Sequence, residues 1–92
     1  MATTTSLLVN STTFTDLGAA PTQIQVIGPA AVTVAVADTL PAVGAVGFVL
    51  QGNQGNGGAP ITIQPADASS HCYVAMFGGL DSEIVYCPVY VA

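Results

Sequence analysis

His71 is the only histidine in the chain, and Ser69, Ser70 and Cys72 lie beside it. With Asp67 and Asp81 close in sequence, a Ser–His–Asp or Cys–His arrangement could be drawn. In either, the imidazole would take a proton from a hydroxyl or thiol nucleophile. That chemistry also requires an oxyanion hole and a pocket, and no G-x-S-x-G turn is present to display a nucleophile. His71 is therefore expected to sit at the entry of a strand and bond to backbone or solvent, and the chain is not expected to be an enzyme. Two cysteines and one histidine make a poor zinc set without C-x-x-C spacing. The carboxylates Asp16, Asp38, Asp67, Asp81 and Glu83 are scattered, with no D-x-D-x-D run for calcium. No metal or cofactor is expected. Asp16, Asp38 and Asp81 fall at turn sequences, where a carboxylate can accept hydrogen bonds from local amides.

The segment Gly52-Asn53-Gln54-Gly55-Asn56-Gly57-Gly58 is not a phosphate loop, because it has no G-K-[ST] and no helix follows. Gly and Asn tolerate positive φ, so the segment is expected to be an exposed hairpin connection between Leu50 and Ile61. Lysine and arginine are absent, leaving a net charge of −5. Binding to nucleic acid draws on basic groups that displace counterions from phosphates, so DNA and RNA are excluded as partners. Internal ion pairs with Lys or Arg are excluded as well.

Apolar residues make up 51% of the 92 residues, and the mean hydropathy is +0.66. A chain this short buries only about 60–65% of its unfolded surface, so the apolar surplus points to contacts with other subunits. The longest apolar stretches are interrupted by Gly28, Pro29, Thr33, Gly44 and Gly47, too often for a spanning helix of about 20 residues. A lone chain of this length is also too short for a transmembrane barrel. No membrane partner is expected. No basic segment precedes Leu7-Leu8-Val9, so synthesis in a cytoplasm is expected.

These residues must be positioned by short strands. Gly, Pro and Asn divide the chain into runs at 4–9, 13–17, 22–27, 31–37, 46–51, 61–64, 71–77 and 83–91. Alternation is clear where Val32, Val34 and Val36 share a face, and where Ile24 and Val26 oppose Gln23 and Gln25. The expected fold is all-β: a single small antiparallel β-sandwich or barrel of about seven or eight short strands. Residues 1–11 are expected to form an N-terminal arm or first strand, and 12–92 the sandwich or barrel domain. No helix is expected beyond one turn near residues 65–69.

The last two runs suggest a hairpin closed symmetrically by Gly78-Gly79-Leu80-Asp81. That register would set Tyr73 opposite Tyr86 and Cys72 opposite Cys87, within reach of a cross-strand disulfide. Cytoplasmic synthesis disfavours oxidation, so two reduced thiols acting as small apolar side chains are expected instead. Both faces of the hairpin would be apolar, one of them holding most of the aromatics. One face would line the core, and the other, with Tyr73, Phe77, Ile84, Tyr86 and Tyr90, would be a subunit interface.

The stretch Thr13-Phe14-Thr15-Asp16-Leu17-Gly18-Ala19-Ala20-Pro21 resembles the opening of small structural proteins of tailed bacteriophages, which often read aromatic-T-D-L-G-x-x-P. Gly47-Phe48-Val49-Leu50 and Pro60-Ile61-Thr62-Ile63 occupy the places of later motifs in that pattern. Phe14 stands where tryptophan is usual, and the Gly/Asn segment is an insertion. The resemblance implies a virion structural protein, either a head decoration or cement subunit on the capsid exterior or a part of a tail or fibre. Its partners would be the major capsid protein and copies of itself, as a homo-oligomer such as a trimer. The alternative is a tail fibre or spike module that recognises a receptor or glycan, with Tyr73, Tyr86 and Tyr90 beside Asp81 as a binding surface.

Overall fold

The computed structural model describes residues 4–19, 21–52, 60–64 and 69–88. Eight strands follow one another: β1 (Thr5–Val9), β2 (Thr15–Ala19), β3 (Thr22–Val26), β4 (Val32–Ala37), β5 (Phe48–Leu50), β6 (Ile61–Ile63), β7 (His71–Met76) and β8 (Ser82–Pro88). Each lies within one of the runs marked out by Gly and Pro, or within two residues of it. No described residue is helical, and the expected turn near 65–69 lies outside the described residues apart from Ser69.

The strands form two four-stranded antiparallel sheets. Sheet A runs β1-β8-β3-β6 and sheet B runs β2-β7-β4-β5. The molecule is therefore a sandwich. Within the sheets β1 pairs with β8, β2 with β7, β3 with β6 and β4 with β5. The chain is thus one long hairpin, folded back at the β4–β5 connection and then wound across two layers. Further pairings of β3 with β8 and β4 with β7 close each sheet. This is the jelly-roll connection, in which nearly every successive strand changes sheet.

The winding follows from which faces are apolar. Ile24 and Val26 of β3, Val32 and Val34 of β4, Cys72 and Val74 of β7 and Ile84 of β8 project between the sheets. With Val9, Leu17 and Ile63 they form the main core. β7 and β8 are inner strands, each flanked by two neighbours in its own sheet. A second cluster, Phe14, Ala35, Tyr73 and Ala75, lies on the outer face of sheet B, where Ala37 and Ala45 pack against it.

The arrangement overturns the expected C-terminal hairpin. Gly78 and Gly79, at φ +69° and +73°, make a two-residue turn in which the Leu80 N–H reaches the Phe77 carbonyl at 3.5 Å. The only pairing across that turn is Phe77 with Leu80. Beyond it β7 enters sheet B and β8 enters sheet A, so Tyr73 does not face Tyr86 and Cys72 does not face Cys87. The apolar faces of the two strands meet across the sandwich instead of lying side by side. Tyr73 and Ala75, on the far face of β7, are covered by this chain's own Phe14 and Ala45 rather than left for a neighbour.

Of the N-terminal arm or first strand expected over residues 1–11, the described residues include a strand. Thr5–Val9 is an integral edge strand of sheet A, and Val9 belongs to the core; residues 1–3 lie outside the described residues. The β3–β4 crossover is held against β8, where Ile27 and Gly28 both donate to the Glu83 carbonyl and Ser82 Oγ donates to the Ala30 carbonyl at 2.6 Å. No described helix is long and apolar enough to cross a membrane.

Candidate functional site

Two features gather side chains with functional potential. The first lies at the start of β7, on the outer face of sheet B. β7 runs between β2 and β4, setting Asp16 opposite Tyr73 and His71 between Ala19 and Ala37. A bulge between Asp16 and Gly18 turns the Asp16 side chain toward His71. Nδ1 of His71 lies 3.0 Å from both carboxylate oxygens. An ionised carboxylate can only accept, so Nδ1 is the protonated nitrogen here. Oδ1 of Asp16 also accepts the Gly18 N–H at 2.7 Å.

Burial acts to raise the Asp16 pKa, but the Gly18 amide and the His71 ring outweigh it and hold the carboxyl below its ordinary value. Tyr73 follows His71 on the same face, with ring centroids 6.3 Å apart. Burial pushes its phenol up, and the Asp16 and Asp38 carboxylates add to that shift. Ser70 is buried, with its hydroxyl 3.5 Å from the Asp38 carboxylate.

Asp16 and His71 thus form an acid–base pair. The partner of His71 is Asp16, 55 positions away in sequence, and not Asp81, while Asp67 lies outside the described residues. Only the β2–β7 pairing brings the two together, and nothing local to either residue signals it. The pair spans two strands, tying the edge strand β2 to the inner strand β7. Among the described residues no group of three or more His, Cys, Asp or Glu side chains could hold a metal ion.

Cys72 is buried in the main core and Cys87 is half-buried on the outer face of sheet A; both are free thiols. Burial above all, and then the Asp16 charge, pushes the Cys72 thiol up to about 12, so it remains protonated and behaves as a small apolar residue.

The second feature is an uncharged apolar strip around the open edge of sheet B. Val43, Val46, Phe48, Val49, Phe77 and Leu80 are all exposed, Val46 at 96% and Phe48 at 66%. One groove is lined by Val46, Val49 and Phe77 together with Thr33 and the 44–47 backbone. A second, on the other side of Phe77, is lined by Pro29, Gln51 and Leu80 among others. Among the described residues, neither groove has a charged residue in its lining.

The five residues expected to form one interface are dispersed. Tyr73 is buried in the second cluster and Ile84 is at 0% exposure in the main core. Tyr86 packs partly against that core, Phe77 is exposed on the strip, and Tyr90 lies outside the described residues. The expectation failed because it assigned both apolar faces to a single hairpin. Alternation had marked the right residues as apolar but not which neighbour each face meets. Of the expected exposed loop, Gly52 is half-buried, and Asn53 through Gly58 lie outside the described residues.

No family model, no curated protein and no solved structure matches this chain.

Proposed function

We propose that the protein is a non-enzymatic structural subunit of a virus particle, a head decoration or cement protein seated on the outer surface of a major capsid protein. The observation that carries this reading is the strip of exposed Val46, Phe48, Val49, Phe77 and Leu80, with no charged group among the described residues that line either adjoining groove. A soluble monomer rarely leaves a contiguous apolar surface of this kind open, whereas a subunit of a larger assembly buries it. A chain lacking Lys and Arg selects partners by shape and apolar burial, apart from what a partner's cations offer its few carboxylates. The resemblance of the Thr13–Pro21 stretch to small tailed-phage structural proteins points the same way. Jelly rolls occur in viral capsid domains, though also in lectins, so the fold alone does not choose between them.

The glycan-binding alternative would need an open aromatic platform of Tyr73 and Tyr86. Tyr73 is only 4% exposed, which leaves the decoration reading favoured. Quantitative mass spectrometry of purified particles tests it. Decoration requires on the order of hundreds of copies per particle, since each modest contact is repeated over a lattice. About a dozen copies would instead indicate a tail component, and absence from the particle would refute the proposal.

A further inference from the structure

We infer that the open edge of sheet B docks a second copy of this chain, with β5 of one protomer running antiparallel to β5 of its partner about a twofold axis at Val49. This refines the proposed function, since it rests on the same uncharged strip and names what covers part of it.

A sandwich of this topology has four edge strands, and three of them carry features that discourage strand addition. β2 carries the Asp16 charge and a bulge. β6 begins directly after Pro60. β1 places Leu8 beside the exposed Glu83 carboxylate of β8. β5 has no charge, no proline and no bulge. Among the described residues it pairs only with β4, so its other row of N–H and C=O groups faces away from the described sheet. No charged residue occurs from Thr39 to Ala66, a stretch that includes all of β5 and its flanks.

The character of the strip selects the occupant. A partner that fits it without burying an unpaired charge must itself be uncharged and apolar, and the strip on a second copy meets that requirement. Two molecules each at −5 repel one another over most of their surfaces. Among the described residues, Asp16, Asp38, Asp81 and Glu83 all lie outside the linings of the two grooves, so two copies can meet there without desolvating any of these four carboxylates. An antiparallel pairing of identical strands is self-complementary and closes at two subunits. Val49 then faces the partner's Val49, Phe48 faces the partner's Leu50, and the two four-stranded sheets join into one.

Sedimentation equilibrium of the full chain tests this, with far-UV circular dichroism as a check on folding. The wild type should be a dimer. Val49→Lys and Phe48→Lys should halve the mass without altering the spectrum, and Leu8→Lys, on the other sheet, should leave the dimer intact. In a Cys87→Ser background, Val49→Cys should give a covalent dimer on oxidation, because residues opposed at a twofold axis lie within disulfide range. This arm reports even if a lysine variant misfolds. The inference fails if the wild type is monomeric, or if the dimer survives both lysine variants. It also fails if the cysteine variant dimerises without cross-linking, or if β5 is found paired with a strand of a different protein. A β5-paired dimer missing from purified particles would refute the proposed function and not the pairing; monomers abundant on particles would do the reverse.

Discussion

Thr22 is fully buried beside Ile63 and Pro88, and its Oγ1 has no hydrogen-bond partner among the described residues. A buried hydroxyl with nothing to bond costs free energy, and valine has nearly the same shape. Thr22→Val should therefore stabilise the fold by about 1 kcal/mol, read as a higher urea midpoint at unchanged m-value. The two thiols should also separate chemically. Cys87 should react with a thiol reagent in the native protein, and Cys72 only on unfolding. The Cys72 thiol is raised from 9.0 to about 12. A raised folded-state value means its contribution is complete below pH 9 and is lost as pH rises from 9 towards 12. Stability should fall by about 1.4 kcal/mol per pH unit across that window, and less steeply in Cys72→Ala. Asp16 works in the opposite sense. Its depressed carboxyl supports the fold above its ordinary pKa of 3.8 and ceases to do so as pH falls below that value. Asp16→Asn should flatten the acid limb of the stability profile, measured by melting temperature against pH. The Asp16–His71 pairing was not legible in the sequence, because it depends on which strands become neighbours.

At the scale of elements, the strands were legible and their partners were not. Val32, Val34 and Val36 alternate with Thr33 and Ala35, and any fold that buries one face of that run makes it a strand. The pairing of β7 depended instead on a competition that no local pattern records: β8 lies nearest in sequence, yet β2 and β4 flank it in space. Adjacent runs joined by a two-glycine turn read as a hairpin, but here the two runs enter opposite sheets and each turns one apolar face into the shared core. The β3–β4 crossover shows how tightly the layers are joined. A Cβ on Gly28 would overlap the Glu83 main-chain nitrogen and Ser82 Oγ. Gly28→Ala should cost about 2–3 kcal/mol by forcing this corner apart, whereas Gly44, with nothing near its Cβ position, sits in open space. Chemical denaturation of the Gly28 variant checks the value. Phe14→Ala should cost about 3 kcal/mol, since the second cluster loses its largest apolar member.

For the whole molecule, the absence of cations makes salt a direct probe of assembly. Interfaces built on Lys or Arg weaken as ionic strength rises, but copies of this chain can offer one another no such pairs. At about 1 M salt, where the screening length falls to ~3 Å, carboxylate repulsion is suppressed and apolar contact is unaffected. Self-association should hold or tighten, as measured by sedimentation; clear weakening would contradict an apolar interface. Apart from β4 with β5, the described pairings join strands that are not consecutive in sequence, β1 with β8 above all, so folding should be slow for a chain of this length, in the range of about milliseconds to seconds.

That first-with-last pairing has a mechanical consequence. Thr5 lies opposite Tyr86, and Val9 lies opposite Ser82, so the start of β1 and the end of β8 lie at the same end of one ladder. Tension applied between them would not shear the β1–β8 hydrogen bonds together. It would peel them one after another from Thr5 toward Val9, as a zipper opens. A pulling experiment on the isolated subunit should find it yielding at low force, and a particle coated with it would owe any resistance to rupture to contacts between subunits.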